Sequence, residues 1–428
     1  MVLTYSKSTY LLLVFTICFQ LVSCAQHPQK ENQNHTATPE KAATKTVKPG
    51  ADRVELYLSQ LLNKNVAIVA NQTSIVHVLQ RKEISPNVMG AELVTKHLVD
   101  YLHDYRGITV KRVFAPEHGF RGKADAGETV IDGVDTKTGV PIISLYGKNK
   151  KPFPEQLQDV DVVVFDIQDV GVRFYTYIST LHYVMEACAE ANIPLLILDR
   201  PNPNAHYIDG PTLEMKHTSF VGMHPVPVVY GMTIGEYGKM INGEKWLKDG
   251  IQCDLTVIPI ENYTHQTSYS LPVKPSPNLP NDQSINLYPS LCFFEGTNVS
   301  VGRGTSQQFQ VVGSPFHRLK RHAYNFTPQP NEGAKNPKHL NKVCYGYDLS
   351  EESHLSKIEL KWLLDFYHGH KNFSKEKEFF NPFFTKLAGT EKLQLQIEKE
   401  LSEEAIRKSW EADLANFKKI RSKYLIYP

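Results

Sequence analysis

The run Val160-Asp-Val-Val-Val-Phe-Asp-Ile-Gln-Asp169 passes directly from an apolar strand pattern into a cluster of polar side chains. A helical pattern follows over residues 177–192, and a second apolar run, Pro194-Leu-Leu-Ile-Leu-Asp199, comes next. Apolar strands that alternate with helices are typical of a parallel sheet with right-handed crossover connections. This stretch therefore predicts an α/β fold.

The same alternation extends toward the N-terminus. Residues 66–70 are a short apolar run that predicts a buried strand, and residues 109–115 predict a further strand. Apolar residues at helical spacing predict a helix over 91–105. The glycine pattern G-x-G-x-x-G does not follow the first of these strands. A dinucleotide site is therefore not expected.

The pattern changes near residue 270, where Pro-rich and polar segments become frequent and a helix is predicted over 355–367. We therefore expect a Rossmann-like, parallel-sheet catalytic domain over residues 52–270 and an auxiliary α+β domain over residues 271–428.

Positive and negative charges nearly balance, with 47 Lys and Arg against 45 Asp and Glu. Proteins that bind nucleic acid present a strongly basic surface, so nucleic acid is not an expected partner. The cysteines show no C-x-x-C spacing and the histidines no H-E-x-x-H motif. We therefore predict no metal site.

The N-terminus predicts export. A short apolar run over 11–19 cannot span a bilayer, and it precedes Leu21-Val-Ser-Cys24, the pattern of a bacterial lipoprotein cleavage site. We expect a signal peptide over residues 1–23, a lipid on Cys24 and a disordered polar tether over residues 24–51. An ordinary signal peptide and a transmembrane anchor are the alternatives. The expected location is a bacterial membrane, on the periplasmic side or at the cell surface.

Glu117 is the best candidate for an acid catalyst. It follows Pro116 at the carboxyl end of a predicted strand, the edge where open parallel sheets bind ligands. Glu128 lies on the same loop. The alternative for Glu117 is a helix cap or an ion pair with Arg121, and Glu128 could equally brace the loop.

A second cluster lies at the end of the strand predicted over residues 160–166 and contains Asp166, Gln168, Asp169, Arg173 and Tyr175. Two carboxylates, an amide, a guanidinium and a phenol within ten residues are typical of a binding site. A structural network of ion pairs is the alternative.

Further polar loops hold Asp199 and Asn202, and, in the C-terminal half, Glu295, Asn298 and Arg303. Glycines around Arg303 would permit a ligand to approach the backbone closely. An ion pair between Glu295 and Arg303 is the structural alternative. Esterase or amidase chemistry is the rival reaction, but a G-x-S-x-G nucleophile motif is missing.

These loops resemble the motifs of the NamZ-type exo-β-N-acetylmuramidases, and the resemblance extends from about residue 53 to the C-terminus. The matching motifs are Ala115-Pro-Glu-His-Gly-Phe-Arg-Gly122, Ser144-Leu-Tyr-Gly147, Phe165-Asp-Ile-Gln-Asp-Val-Gly-Val-Arg-Phe-Tyr-Thr-Tyr177, Asp199-Arg-Pro-Asn-Pro-Asn204, Pro275-Ser-Pro-Asn278, Phe294-Glu-Gly-Thr-Asn298 and Ser300-Val-Gly-Arg-Gly-Thr305.

The resemblance implies an exo-acting glycoside hydrolase that removes terminal β-1,4-linked N-acetylmuramic acid from peptidoglycan fragments without a cofactor. It implies that Glu117 is catalytic, and we expect Asp166 and Glu128 as its catalytic partners. Arg173 or Arg303 would bind the lactyl carboxylate of the sugar, because guanidinium binds carboxylates in bidentate fashion. A surface lipoprotein that binds muropeptides without cleaving them is the alternative function.

The residues expected to contact substrate are His118, Gln168, Asp169, Arg173, Tyr175, Asp199, Asn202, Asn278, Glu295, Asn298 and Arg303.

Overall fold

The apolar runs form the strands of a central sheet. The computed structural model describes residues 46–85, 88–121, 132–316, 324–373 and 378–428. The candidate residues Glu128 and Cys24 lie outside these ranges.

The strands are β1 (Lys64–Ala70), β2 (Ile75–Ser85), β3 (Val88–His97), β4 (Ile108–Ala115), β5 (Gly133–Val134), β6 (Pro141–Ser144), β7 (Val162–Asp166), β8 (Leu195–Leu198), β9 (Leu255–Ile258), β10 (Val311–Ser314), β11 (Tyr324–Phe326) and β12 (Cys344–Asp348).

The helices are α1 (Val54–Leu61), α2 (Leu98–His103), α3 (Tyr177–Ala191), α4 (Ile234–Gly243), α5 (Asp282–Leu291), α6 (Lys361–Phe373), α7 (Phe383–Ala388), α8 (Lys392–Glu398), α9 (Glu403–Lys408) and α10 (Glu411–Arg421). Short 3-10 helices lie at Gly50–Asp52, Pro154–Gln156, Met215–His217, Lys248–Gly250 and Cys292–Gly296.

The central sheet has seven strands in the order β5-β6-β4-β1-β7-β8-β9. Only the pair of β5 and β6 is antiparallel within this sheet. In the register of β1 and β7, Val66 pairs with Val162 and Ala70 with Asp166. The predicted α/β fold with a largely parallel sheet is therefore confirmed, and the carboxyl ends of its strands meet at one edge.

Both faces of this sheet are covered at its centre, which explains why β1, β7 and β8 are largely apolar runs. Successive side chains of a strand point to opposite faces. Val66 and Ile68 of β1 thus join a core that contains residues of α1 and α2. Ala67 and Val69 join the other core, which contains residues of α3 and α4.

The helix predicted over 91–105 is wrong in its first half. Residues up to His97 form β3, which pairs antiparallel with β2, and only Leu98–His103 is helical. The His97 side chain accepts a hydrogen bond from Val99 N and so caps α2. The partner strand β2 overrides the helical spacing of the apolar residues, because it satisfies the backbone of β3.

The helix predicted over 355–367 begins later, at Lys361. Backbone N–H groups before it donate to side chains instead, Leu355 N to Asn286 Oδ1 at 2.8 Å and Ile358 N to Asp209 Oδ2 at 2.7 Å. These tertiary bonds hold the segment that precedes the helix.

The C-terminal half contains a three-stranded antiparallel sheet in the order β10-β12-β11, together with α5 to α10. Residues Thr46–Pro428 form one compact unit, and a single apolar core includes both Val69 and Phe417. The predicted division near residue 270 stays a prediction. Within the described ranges, no helix has the length and apolar character that crossing a membrane requires.

Candidate active site

A cavity of about 960 Å³ lies where loops that follow β4, β6 and β7 meet the C-terminal half. Its size is in the range of pockets that bind small molecules. Residues from both halves of the chain line it. Glu117 and Tyr146 come from loops that follow β4 and β6, and Glu295 and Arg303 come from the C-terminal half. The cavity therefore occupies the edge at which an open parallel sheet is expected to bind its ligand.

Glu117 reaches this cavity because the chain turns sharply after β4. Gly119 N donates to Pro116 O at 3.0 Å, and His118 adopts a φ of 71°. A residue other than glycine rarely adopts this left-handed conformation, and such strain often marks functional sites. His118 is buried and also lines the cavity.

The Glu117 carboxyl group is held by the residue that precedes α3. Thr176 Oγ1 donates to Glu117 Oε2 at 2.7 Å. Thr176 is buried, whereas Glu117 is half-buried. The rotation of the carboxyl group is therefore restricted at the wall of the cavity.

A loop of the C-terminal half supplies a second carboxylate. Glu295 Oε1 accepts a hydrogen bond from Arg303 Nη1 at 2.9 Å. The loop is held by Lys338 Nζ, which donates to Thr297 O at 2.6 Å and to the carbonyls of Phe294 and Val299. Burial lowers the pKa of Lys338 to about 8. The ammonium therefore serves to fix the backbone beside the carboxylate.

Tyr288 lies within electrostatic reach of both carboxylates. Burial raises the pKa of its phenol, and the neighbouring Cys292, Glu295 and Glu117 raise it further. Tyr175 is also buried, and its hydroxyl donates to Pro275 O at 2.8 Å. Both phenols therefore stay neutral, and they contribute aromatic surface to the cavity wall.

The structure brings six of the predicted site residues together. These cavity-lining residues are Glu117, His118, Tyr175, Asn278, Glu295 and Arg303. Another seven described residues do not line the cavity: Asp166, Gln168, Asp169, Arg173, Asp199, Asn202 and Asn298.

Arg173 corrects the prediction that it binds the lactyl carboxylate. Its side chain is fully buried, with Nη1 donating to the carbonyls of Pro211 and Val226 and Nη2 to those of Leu387 and Ala388. These four distances lie between 2.7 and 2.9 Å. The guanidinium therefore joins two distant parts of the chain and is not available to a ligand.

Asp166 corrects the prediction of a second catalytic carboxylate on β7. It is fully buried, and Arg200 donates to it through Nε at 2.6 Å and Nη2 at 2.9 Å. Burial raises the pKa of Asp166, and the Arg200 guanidinium opposes that shift. The pair is the structural ion pair that the sequence left open as an alternative.

Asp169 and Asp199 also bond within the protein interior, which corrects their prediction as substrate ligands. Tyr230 and Gly171 donate to Asp169, and burial raises its pKa to about 6. Thr233 donates to Asp199 at 2.7 Å, and burial raises the pKa of Asp199 to about 7.

The three predicted amide ligands outside the cavity have backbone partners instead. Gln168 Nε2 donates to Pro201 O at 2.6 Å, Asn202 Nδ2 to Met232 O at 2.8 Å and Asn298 Nδ2 to Glu378 O at 3.0 Å. These side chains hold the loops that surround the cavity.

Sequence reasoning missed several cavity residues. Tyr146 and Thr176 stand within the quoted motifs at 144–147 and 165–177, so the motifs themselves could have indicated them. Phe220 and Lys338 carried no such signal. In the described ranges, no three His, Cys, Asp or Glu side chains cluster as metal ligands would.

Two family models match the chain. The N-terminal model of the exo-β-N-acetylmuramidase NamZ covers residues 66–283, and the C-terminal model covers residues 286–427. A curated relative, the peptidoglycan β-N-acetylmuramidase NamZ of Bacillus subtilis (strain 168), is 36% identical over 98% of this chain and 100% of its own length.

Two crystal structures of DUF1343 family proteins from Bacteroides fragilis share the fold. One is 45% identical, with a TM-score of 0.77 over 90% of this chain and 99% of the other. The second is 26% identical, with a TM-score of 0.73 over 89% of this chain and 99% of the other. Since the two models and the relative together span nearly the whole sequence, the chain belongs to the NamZ family of exo-β-N-acetylmuramidases.

Proposed function

We propose that this protein is an exo-acting glycoside hydrolase that releases terminal β-1,4-linked N-acetylmuramic acid from peptidoglycan fragments, with Glu117 as its general acid. The observation that carries the proposal is the position of Glu117 in the cavity, held by Thr176 at 2.7 Å, in a chain of the muramidase family.

Glycosidic cleavage needs a proton for the leaving oxygen and a water molecule for the sugar carbon. In this mechanism Glu117 donates the proton to the glycosidic oxygen as that bond breaks. Thr176 restricts the carboxyl group to one orientation, which favours proton transfer because geometry must be set before the reaction. Glu295 is the other carboxylate among the described residues that line the cavity, which supports it in place of Asp166 as the partner of Glu117.

Recognition of the lactyl carboxylate is assigned to Arg303, since Arg173 is occupied by backbone carbonyls. Arg303 lines the cavity beside Glu295, and Lys150 and Lys335 also line it. Cationic side chains there would favour a sugar that carries a carboxylate over N-acetylglucosamine, which has none.

The activity is tested by incubating the purified protein with a glycan chain that ends in N-acetylmuramic acid at its nonreducing end. We expect free N-acetylmuramic acid as the released sugar. A chain that ends in N-acetylglucosamine is the matched control and should stay intact. Release of internal disaccharides would contradict exo-action, and binding without any product would favour the non-catalytic lipoprotein.

Export and anchoring belong to the same proposal. They are supported by the sequence Leu21-Val-Ser-Cys24 and by the polar segment that follows it. The variant Cys24→Ser should appear in the soluble fraction, whereas the unaltered protein should sediment with membranes. A Cys24→Ser variant that stays in washed membranes would exclude the lipid anchor.

A further inference from the structure

The hairpin of β2 and β3 carries large apolar side chains into solvent. Leu79, Met89 and Leu93 are 73, 61 and 64% exposed. Contiguous apolar patches of this kind on soluble proteins mark interaction sites. A two-stranded hairpin is also only marginally stable in water by itself. The hairpin therefore has the character of an interaction surface.

The pairing of the strands places these side chains on one face. Leu79 lies opposite Leu93, and Arg81 lies opposite Ala91. Directly opposed residues share a face, and so do residues two apart on a strand. Met89, Ala91 and Leu93 thus form an apolar row on β3, whereas the facing row on β2 carries the charges of Arg81 and Glu83 beside Leu79.

The two strands also differ in how many charged residues protect their outer edges. β2 carries the consecutive charges Arg81, Lys82 and Glu83, and charged residues on an edge strand oppose pairing with another chain. β3 carries one charge between residues 88 and 94, Glu92, and Lys82 Nζ already pairs with it at 2.7 Å. In the described part of the chain, β3 pairs with β2 alone. The unprotected edge is therefore that of β3.

We propose that β3 pairs antiparallel with β3 of a second copy of this chain, so that two hairpins form a four-stranded sheet across a two-fold axis. Ala91 lies opposite Ala91 of the second copy in this register. Met89 lies opposite Leu93, and Val88 lies opposite Val94. The interface is closed and self-complementary, as the commonest protein dimers are.

This register joins the two apolar rows at the centre of the sheet and leaves the charged β2 strands on the outside. Stacking two hairpins face to face would instead bury both Arg81 and Glu83, and taking charged groups out of water is costly. Because the charges lie on β2 and the apolar row lies on β3, pairing of the β3 edges is favoured over face-to-face stacking. The dimer is independent of the catalytic proposal, since none of these residues lines the cavity.

The first test measures the mass in solution of the Cys24→Ser chain, from which the lipid is absent, over a range of concentrations. We expect the mass to double as concentration rises. Met89→Lys and Leu93→Glu should each leave the chain with the mass of a monomer. An equal mixture of the two variants should restore the dimer, because the introduced lysine then lies opposite the introduced glutamate. Leu79→Lys is the matched control on β2 and should leave the dimer intact, and melting curves check that each variant folds.

The second test fixes the register. Directly opposed residues of an antiparallel pair have Cα atoms about 4.5–5.5 Å apart, within the span of a disulfide. Under mild oxidation Ala91→Cys should therefore cross-link two chains, and Leu79→Cys should not.

A Cys24→Ser chain that stays monomeric at all concentrations would overturn the proposal. So would a monomer that binds lipid vesicles through the hairpin, since its partner would then be a membrane. Equal disruption by Leu79→Lys would indicate face-to-face stacking and reject the edge pairing.

Discussion

Replacing Glu117 by Gln removes the proton that the glycosidic oxygen requires while nearly preserving the shape of the side chain. The Thr176 hydroxyl, which donates to Oε2 at 2.7 Å, can donate to the amide oxygen of glutamine in the same way. The half-buried position also tolerates a neutral side chain, so the fold and the affinity for substrate should survive.

A general acid contributes roughly 10²–10⁴-fold to the rate, and we expect Glu117→Gln to lower kcat on a natural disaccharide by about that factor. At about 1.36 kcal/mol for each factor of ten, the transition state loses roughly 3–5 kcal/mol. The loss should shrink on aryl muramides, because an activated leaving group departs with little protonation.

The assay compares kcat and KM of both proteins on a muramyl disaccharide and on an aryl muramide, with a melting curve for each. Glu155→Gln, an exposed glutamate outside the cavity, is the matched control and should keep full activity. A folded Glu117→Gln protein that cleaves the disaccharide at the wild-type rate would refute the reasoning, and Glu295 would then be the carboxyl group to examine.

Three further substitutions test the site and its surroundings. Arg303→Ala should reduce the preference for muramides over N-acetylglucosaminides by about ten- to a hundredfold, since a hydrogen bond to a charged group contributes roughly 1.5–3 kcal/mol; an unchanged ratio of kcat/KM values would assign the lactyl group to another residue. Arg173→Met should lower the free energy of unfolding by at least about 3 kcal/mol in denaturant titrations, because a buried acceptor left unpaired costs ~1–3 kcal/mol and four carbonyls lose their donor. Burial raises the pKa of Asp169 from 3.8 to about 6, so the folded protein holds this proton more tightly than the unfolded chain does. The protonated Asp169 therefore contributes its full share to the free energy of unfolding below pH 4. That free energy should fall by roughly 3 kcal/mol as the pH rises from 4 to about 6. Asp169→Asn should remove that part of the pH dependence, and an unchanged slope between pH 4 and 6 would contradict the assignment.

Residues that are adjacent along the chain were sufficient to predict the sheet and to place Glu117 at its edge. Strands that are buried on both faces need uninterrupted apolar residues. Strands β1, β7 and β8 could therefore be predicted from short stretches of sequence alone. Glu117 was also predictable, because a residue directly after a parallel strand must lie at the ligand-binding edge. Both inferences depend only on neighbours along the chain.

Which polar residues at that edge face the cavity depends on contacts between distant parts of the chain. Asp166 ends β7 and Arg173 comes seven residues later in the same polar segment. Asp166 pairs with Arg200, whereas Arg173 donates to carbonyls as far away along the chain as Ala388. Their partners come from strands and loops that packing brings alongside. A charged residue after a strand is equally compatible with an active site and with a buried bond, and the difference lies in which distant groups satisfy it.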